Sequence, residues 1–428
     1  GSVQTSWLVD PDALNTTLRL TATGFGADGL RGTADDQIAI TTFTDGIKTD
    51  YRGWENLITS QSPQWAKGGI NAGQGAYLEG DYVPHAVNFT GLTAGQTYTF
   101  KISFNAYQSS SNSGGFVAIG TFDQSVTPTA VFPSGSGGPL EDSFVGGTGT
   151  SGYFYVSDYN GDTAVDADIQ SVGDVTVASG SFGVSDVEEQ ATVTFAATNT
   201  DATIYYGLRL ALPGEVLTGT KGADGFTGLS LQSAVLNGPT GTAIGGGGNV
   251  QLFPGAVFKG LISGYKWDDA NGNSQWDSGE IGIGGVTIYL YKDQNGDNVY
   301  DSGDGDYYST AVTSDGTKDV NGDNKPDPAG YYEFSSAAQP LSPLLRGDKF
   351  FVVEDIYTLP PEYEWEQTYP TTPNGVPNQE GSNYWGPLTI GSTTPQFKGV
   401  QGAGAEDNPN SVGNFGNRRY LLPGPGSV

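Results

Sequence analysis

The chain of 428 residues has no cysteine, no methionine and one histidine, and its 18 lysines and arginines face 47 aspartates and glutamates. Without cysteine, neither disulfides nor thiolate metal sites can form. With His85 alone, a Ser-His-Asp arrangement would rest on one residue, and zinc sites built on several His or Cys are excluded. The expectation for His85 is a structural or surface role. A formal charge of −29 argues against nucleic acid and anionic membrane surfaces, which select basic patches. No apolar run approaches the roughly 18 residues of a membrane-spanning helix. No glycine-rich loop ends in Gly-Lys-Ser/Thr to cradle a phosphate. A carboxylate pair can hydrolyse glycosides, but in so acidic a chain such pairs carry no signal, and no enzymatic activity is expected. The missing methionine points to a start after processing, most simply removal of a secretory signal.

What is present is glycine, 66 residues of it, together with 12% aromatics. A disordered chain would lack those aromatics, and apolar residues nowhere keep helical spacing. The expected fold is all-β: tandem β-sandwiches, a large N-terminal jelly-roll or immunoglobulin-like sandwich over residues 1–258 (one domain or two small ones) and a second over 259–419. Tyr98, Phe100, Ile102 and Phe104 alternate along one strand. Val193, Phe195 and Ala197 do so in another, and Ile204, Tyr206, Leu208, Leu210 and Leu212 in a third. Such strands bury one face. Asp28, Asp35 and Asp36 mark a hairpin loop or a further cation site, while Asp158, Asp162, Asp166 and Asp168 read as a solvated loop. Asn15 and Asn88 begin glycosylation sequons. Glycines 245–248 lie in a flexible stretch, and the run Val250–Phe258 after it can pair with either domain. That choice decides whether the two are hinged or rigidly joined.

Three acidic loops dominate the last third of the chain. Asp269, Asn271, Asn273, Gln275, Asp277 and Glu280 occupy positions 1, 3, 5, 7, 9 and 12 of the first. Asp293, Asn295, Asp297, Val299, Asp301 and Asp304 repeat that spacing. Asp319, Asn321, Asp323, Lys325 and Asp327 fill positions 1 to 9 of the third, with Gly330 at position 12. Ca²⁺ takes six to eight oxygens at these offsets in EF-hand-type loops, the residue at position 7 through its backbone carbonyl. About three Ca²⁺ ions are expected. The glycine usual at position 6 is replaced by Ser274, Asn298 and Asn324, while Gly272, Gly296 and Gly322 stand at position 4, so the turn must be built differently. Plain Asn/Asp/Gly turns are the alternative.

From Trp267 to Val286 the chain reads W-D-D-A-N-G-N-S-Q-W-D-S-G-E-I-G-I-G-G-V. Val286–Leu290, Gly330–Phe334, Phe350–Glu354 and Asn414–Asn417 follow in order. These segments resemble the calcium-binding B-type domains of serine-aspartate-repeat surface proteins, relatives of the collagen-adhesin B domain. The resemblance covers more than a third of the chain and implies a β-sandwich on a cell surface. The third loop is an insertion relative to that family, and the connection from Pro370 to Asn410 is unusually long. Some relatives of the fold form a Lys–Asn isopeptide bond beside a buried acid. On that resemblance Lys266, Glu354 and Asn414 or Asn417 would be the group.

The functional expectation is a secreted, calcium-stabilised structural protein of the cell surface, a homopolymer assembling head to tail into a filament or stalk. Its connectors would be the termini, Gly1–Asp10 and the tail of residues 420–428, with Arg418 and Arg419 offered to a second copy. The alternative is an adhesin whose N-terminal sandwich holds a glycan or host protein through exposed aromatics such as Trp54, Trp65 and Tyr77.

Overall fold

A computed structural model describes residues 17–24, 27–30, 32–35, 37–44, 47–56, 63–122, 138–228, 230–237, 248–273, 276–322, 324–335, 343–369, 384–390 and 415–421. Among these residues there are strands and short 3-10 turns but no α-helix, so the chain is an all-β protein. The N-terminal part folds as an eight-stranded and a nine-stranded sheet. Strand Tyr82–Thr90 lies between Lys48–Glu55 and Asp201–Leu210 in the first. Strand Thr97–Gln108 lies between Val187–Ala197 and Leu231–Asn237 in the second. Val87, Phe89, Ile204 and Tyr206 from one sheet and Phe100, Ile102, Phe104 and Phe195 from the other share one core. Alternating apolar residues on paired strands bury one face against each other, which is what builds a sandwich.

The alternation reading fails at Leu212, which lies beyond the end of strand Asp201–Leu210. It also misses a second layer. Trp54, Trp65, Ala86, Phe122 and Tyr205 form a separate cluster in which the Trp54 and Trp65 rings meet edge to face at 5.2 Å. Strand Asp201–Leu210 is therefore buried at Tyr205 as well as at its core-facing neighbours.

The two sandwiches are joined by strand pairing, packing and an ion pair. Asn249–Leu252 extends the nine-stranded sheet, and Val257–Phe258 then pairs in parallel with Tyr77–Leu78. Leu78 packs into the core of the C-terminal half. From that half, Arg346 grips Asp81 (Nε–Oδ2 3.0 Å, Nη2–Oδ2 2.9 Å) and donates to the Ala76 carbonyl at 3.0 Å. A Cβ on Gly260 would stand 2.2 Å from the Leu344 carbonyl oxygen, so only glycine allows this approach.

The C-terminal half has two four-stranded sheets around Ile262, Ile288, Leu290, Tyr332, Phe350 and Val352. Leu261–Asp268 pairs antiparallel with Tyr331–Ser335 and parallel with the last strand, Phe415–Leu421. That strand continues through Tyr420 and Leu421, opposite Glu364 and Tyr363, so the expected tail begins two residues too early. The long connection up to Asn410 also holds a strand, Tyr384–Thr389, despite Gly386 and Pro387. It is a sheet edge, where proline is tolerated because no outward N–H is needed.

Candidate metal-binding loops

The first loop follows the end of strand Leu261–Asp268. The third leads into Tyr331, which pairs with Tyr265, so both loops sit at the end of the C-terminal sandwich far from the junction. The second follows strand Thr287–Lys292, and its Asp293 amide donates to the Lys349 carbonyl, close in sequence to Arg346 at the junction.

The turn without glycine at position 6 now has a physical account. Gly272, Gly296 and Gly322 at position 4 have φ of 69°, 76° and 80°, and Asn298 and Asn324 at position 6 have φ of 65° and 68°. Glycine enters the left-handed region freely, and asparagine more readily than other side chains. Each leading aspartate then caps its own loop. Asp293 accepts from Gly296 N (2.8 Å) and Asn298 N (3.3 Å). Asp319 accepts from Gly322 N (2.7 Å) and Asn324 N (2.8 Å). Asp269, fully buried, accepts from Asn273 N at 3.1 Å.

The loops differ in how their carboxylates are satisfied. In the first, the Asn271 and Asn273 side-chain amides both donate to Asp277 Oδ2 at 2.7 Å. Glu280 at position 12 accepts from Asp277 N through Oε2, while its Oε1 is buried with no hydrogen-bond partner among the described residues. The second loop repeats this at Asp304: Oδ2 accepts from Asp301 N at 3.0 Å, and Oδ1 is buried and unpartnered. In the third, Asp327 is saturated by Val320 N, Asn321 N and Asn321 Nδ2. Gly330 leaves no room for a ligand, since a Cβ would lie 2.1 Å from the Lys266 carbonyl oxygen. Gln275 and Asp323 lie outside the described residues. Val299 and Lys325 are exposed, so only their carbonyls suit a ligand role. Among the described residues no three acidic or imidazole groups already converge on one point. The donor sets of the first two loops suit a hard cation better than the third.

Other expectations resolve differently. The segment at Asp158 repeats the loop geometry, with Gly161 and Thr163 left-handed and Asp158 accepting from Asp162 N and Thr163 N. It is less solvated than expected, because Asp158 and Asp166 are buried; Asp162 and Asp168 are exposed. Asp166 is saturated by Ser157 Oγ, Tyr159 N and Asn199 Nδ2. Asp28 and Asp35 sit at a hairpin tip, tied by Thr33, and Asp36 lies outside the described residues. Asn88 is buried with Nδ2 on Thr203 Oγ1 at 2.9 Å, which closes it to glycosylation in the folded chain. Asn15 and the terminal connector Gly1–Asp10 lie outside the described residues. Arg419, still exposed, pairs with Asp268 (2.8 Å) and lies over the Tyr363 ring. Trp54, Trp65 and Tyr77 are all buried, so none is an exposed glycan contact.

His85 belongs to the N-terminal core. Its ring lies nearly parallel to those of Tyr51 and Tyr206, with Nε2 3.0 Å from Ser233 Oγ and Nδ1 2.9 Å from the Val83 carbonyl. Among the described residues no acid completes a triad there, and burial lowers its pKa from 6.5 to about 4. A folded pKa below the unfolded one means the unfolded chain binds the proton first. Stability is therefore full above pH 6.5 and falls as pH drops toward 4. The loss should reach on the order of 3 kcal/mol, since each pKa unit is worth about 1.4 kcal/mol. Denaturant titrations across that window check this, and His85→Gln should flatten the slope; an equally steep profile in the variant refutes the assignment.

Lys266 and Glu354 meet inside the C-terminal sandwich, both fully buried, with Nζ 3.3 Å from Oε1. Desolvation pulls the lysine pKa down and pushes the glutamate up, and their mutual attraction opposes both shifts. The Asn417 backbone lies in the last strand opposite Asp268, while Phe415 stands opposite Lys266; Asn414 lies outside the described residues. No family description matches this chain, and no curated protein does.

Proposed function

We propose that this chain is a secreted structural protein of the cell surface, stiffened by calcium in its C-terminal sandwich and assembling head to tail. The observation that carries the reading is the pair of position-12 carboxylates. Glu280 and Asp304 each hold a buried oxygen without a hydrogen-bond partner among the described residues, at the same place in two separate acidic loops. Leaving such an oxygen unmet costs about 1–3 kcal/mol, and a divalent cation is the ligand that would meet it. Asp269, Asn271, Asn273, Asp277 and Glu280 would hold one ion, and Asp293, Asn295, Asp297, Asp301 and Asp304 another, each with the position-7 carbonyl. The third loop is the weakest of the three. Bound calcium would supply positive charge to an acidic body and cross-link loop segments that cysteine cannot. Loops of this type suit millimolar calcium, an extracellular resource. The resemblance to B-type surface modules and the strand-paired junction point the same way. The adhesin alternative loses its named contacts to the core, and no other observation favours it.

Electron microscopy of the purified chain in millimolar calcium and in chelator tests this. Elongated assemblies that shorten or loosen in chelator are expected. Particles that stay monomeric and identical in both conditions would reject the reading.

A further inference from the structure

Among the described residues, strands Thr17–Gly24 and Gln37–Thr44 pair only with each other, in register from Thr17↔Thr44 to Gly24↔Gln37. Ile38 and Ile40 are 63% and 51% exposed, and Ala22 and Ala39 are exposed too. An isolated two-stranded ribbon is marginal in water. This one leaves the N-terminal sandwich just before Ile47 and Lys48, and Lys48 pairs with Thr90. Thr90 ends a nine-residue strand whose start, Tyr82, lies beside the junction at Tyr77–Asp81. The ribbon and the C-terminal sandwich are thus at opposite ends of the N-terminal sandwich, separated by the roughly 30 Å length of that strand.

The far end of the C-terminal sandwich has a matching character. Ile281 is joined to Asp268 there, Val312 pairs with Thr287, and Ile356 and Tyr357 form a short turn held by Thr358 to Thr287. All four are exposed, Tyr357 at 93%. Beside them the strand Tyr363–Tyr369 ends its sheet and, among the described residues, pairs with Phe415–Leu421 alone. Its seven residues approach the eight of each ribbon strand in length. Charge also fits. The ribbon strands contain Arg19 and no carboxylate, whereas Glu364 on the edge strand is exposed.

We infer that the ribbon of one copy seats on this far end of the next copy, adding a strand to the sheet edge at Tyr363–Tyr369. The inference rests on the head-to-tail reading above and replaces the chain termini with the ribbon as connector. A contact between unlike surfaces at opposite poles propagates into an open filament.

The test uses two full-length double variants, Ile38→Asp with Ile40→Asp in the ribbon and Ile356→Asp with Tyr357→Asp at the far end. All four positions are exposed, so folding should survive, and melting curves verify it. Val177→Asp, exposed elsewhere, controls for added charge. By sedimentation velocity in millimolar calcium, wild type and the control should form long assemblies and each double variant should be monomeric. Mixed one to one, the double variants should give dimers and nothing longer, because each retains one working surface. Assembly that survives either double variant, a mixture without dimers, or a control as disabled as the variants would overturn the assignment of surfaces while leaving assembly standing. A wild type that never assembles overturns the head-to-tail reading as well.

Discussion

Chelation of calcium is expected to lower the melting temperature of this protein by on the order of 10 °C. A ligand that binds only the folded state stabilises it by about 1.4–2.7 kcal/mol per site when its concentration is ten to one hundred times Kd. Extracellular calcium modules have Kd of roughly 10⁻⁴ to 10⁻³ M, so about 10 mM calcium reaches that range. Two or three sites then contribute several kcal/mol, and about 2–4 °C accompanies each kcal/mol for a unit of this size. A change of sign tests the site more sharply than the size of the shift. In calcium, Glu280→Gln and Asp304→Asn should each lose much of one site's stabilisation. In chelator, the same substitutions should be neutral or raise the melting temperature, because each removes a charge whose buried oxygen has no partner. Variants that lower stability equally in both conditions would show a purely structural carboxylate. Calorimetry with and without chelator reads both.

The second large effect is expected at Lys266 and Glu354. Removing one member of a buried ion pair strands the other's charge, at about 3–5 kcal/mol. Lys266→Met and Glu354→Gln should each cost that much in denaturant unfolding. The double variant Lys266→Met with Glu354→Leu should recover most of the loss, since desolving two charges offsets much of their attraction. Additive losses in the double variant would deny the coupling. Intact mass spectrometry should return the mass of the sequence with no ammonia lost; a mass one ammonia short would identify a Lys–Asn cross-link and replace the ion pair.

The strands were legible in the sequence wherever one face meets a core and the other meets water. Thr97–Gln108 and Val187–Ala197 alternate for that reason. Tyr384–Thr389 was not legible, because Gly386 and Pro387 are turn signals until an edge position excuses them. The aromatic layer of Trp54, Trp65 and Tyr205 was also hidden: pairing brings the strands together side by side, and periodicity along one strand says nothing of what covers its second face.

The sequence by itself determined the all-β class, the repeated spacing of Asp and Asn side chains in the three acidic loops, and the exclusion of thiol and multi-histidine metal chemistry. Those follow from residue type and local period, which act over a few bonds. Only the tertiary structure decided which carboxylates are satisfied, that Arg346 locks the two sandwiches at Asp81, and that the ribbon and the edge strand lie at opposite ends. Each of these depends on groups far apart in the chain, and burial strengthens or strands a charge according to neighbours that local spacing does not encode.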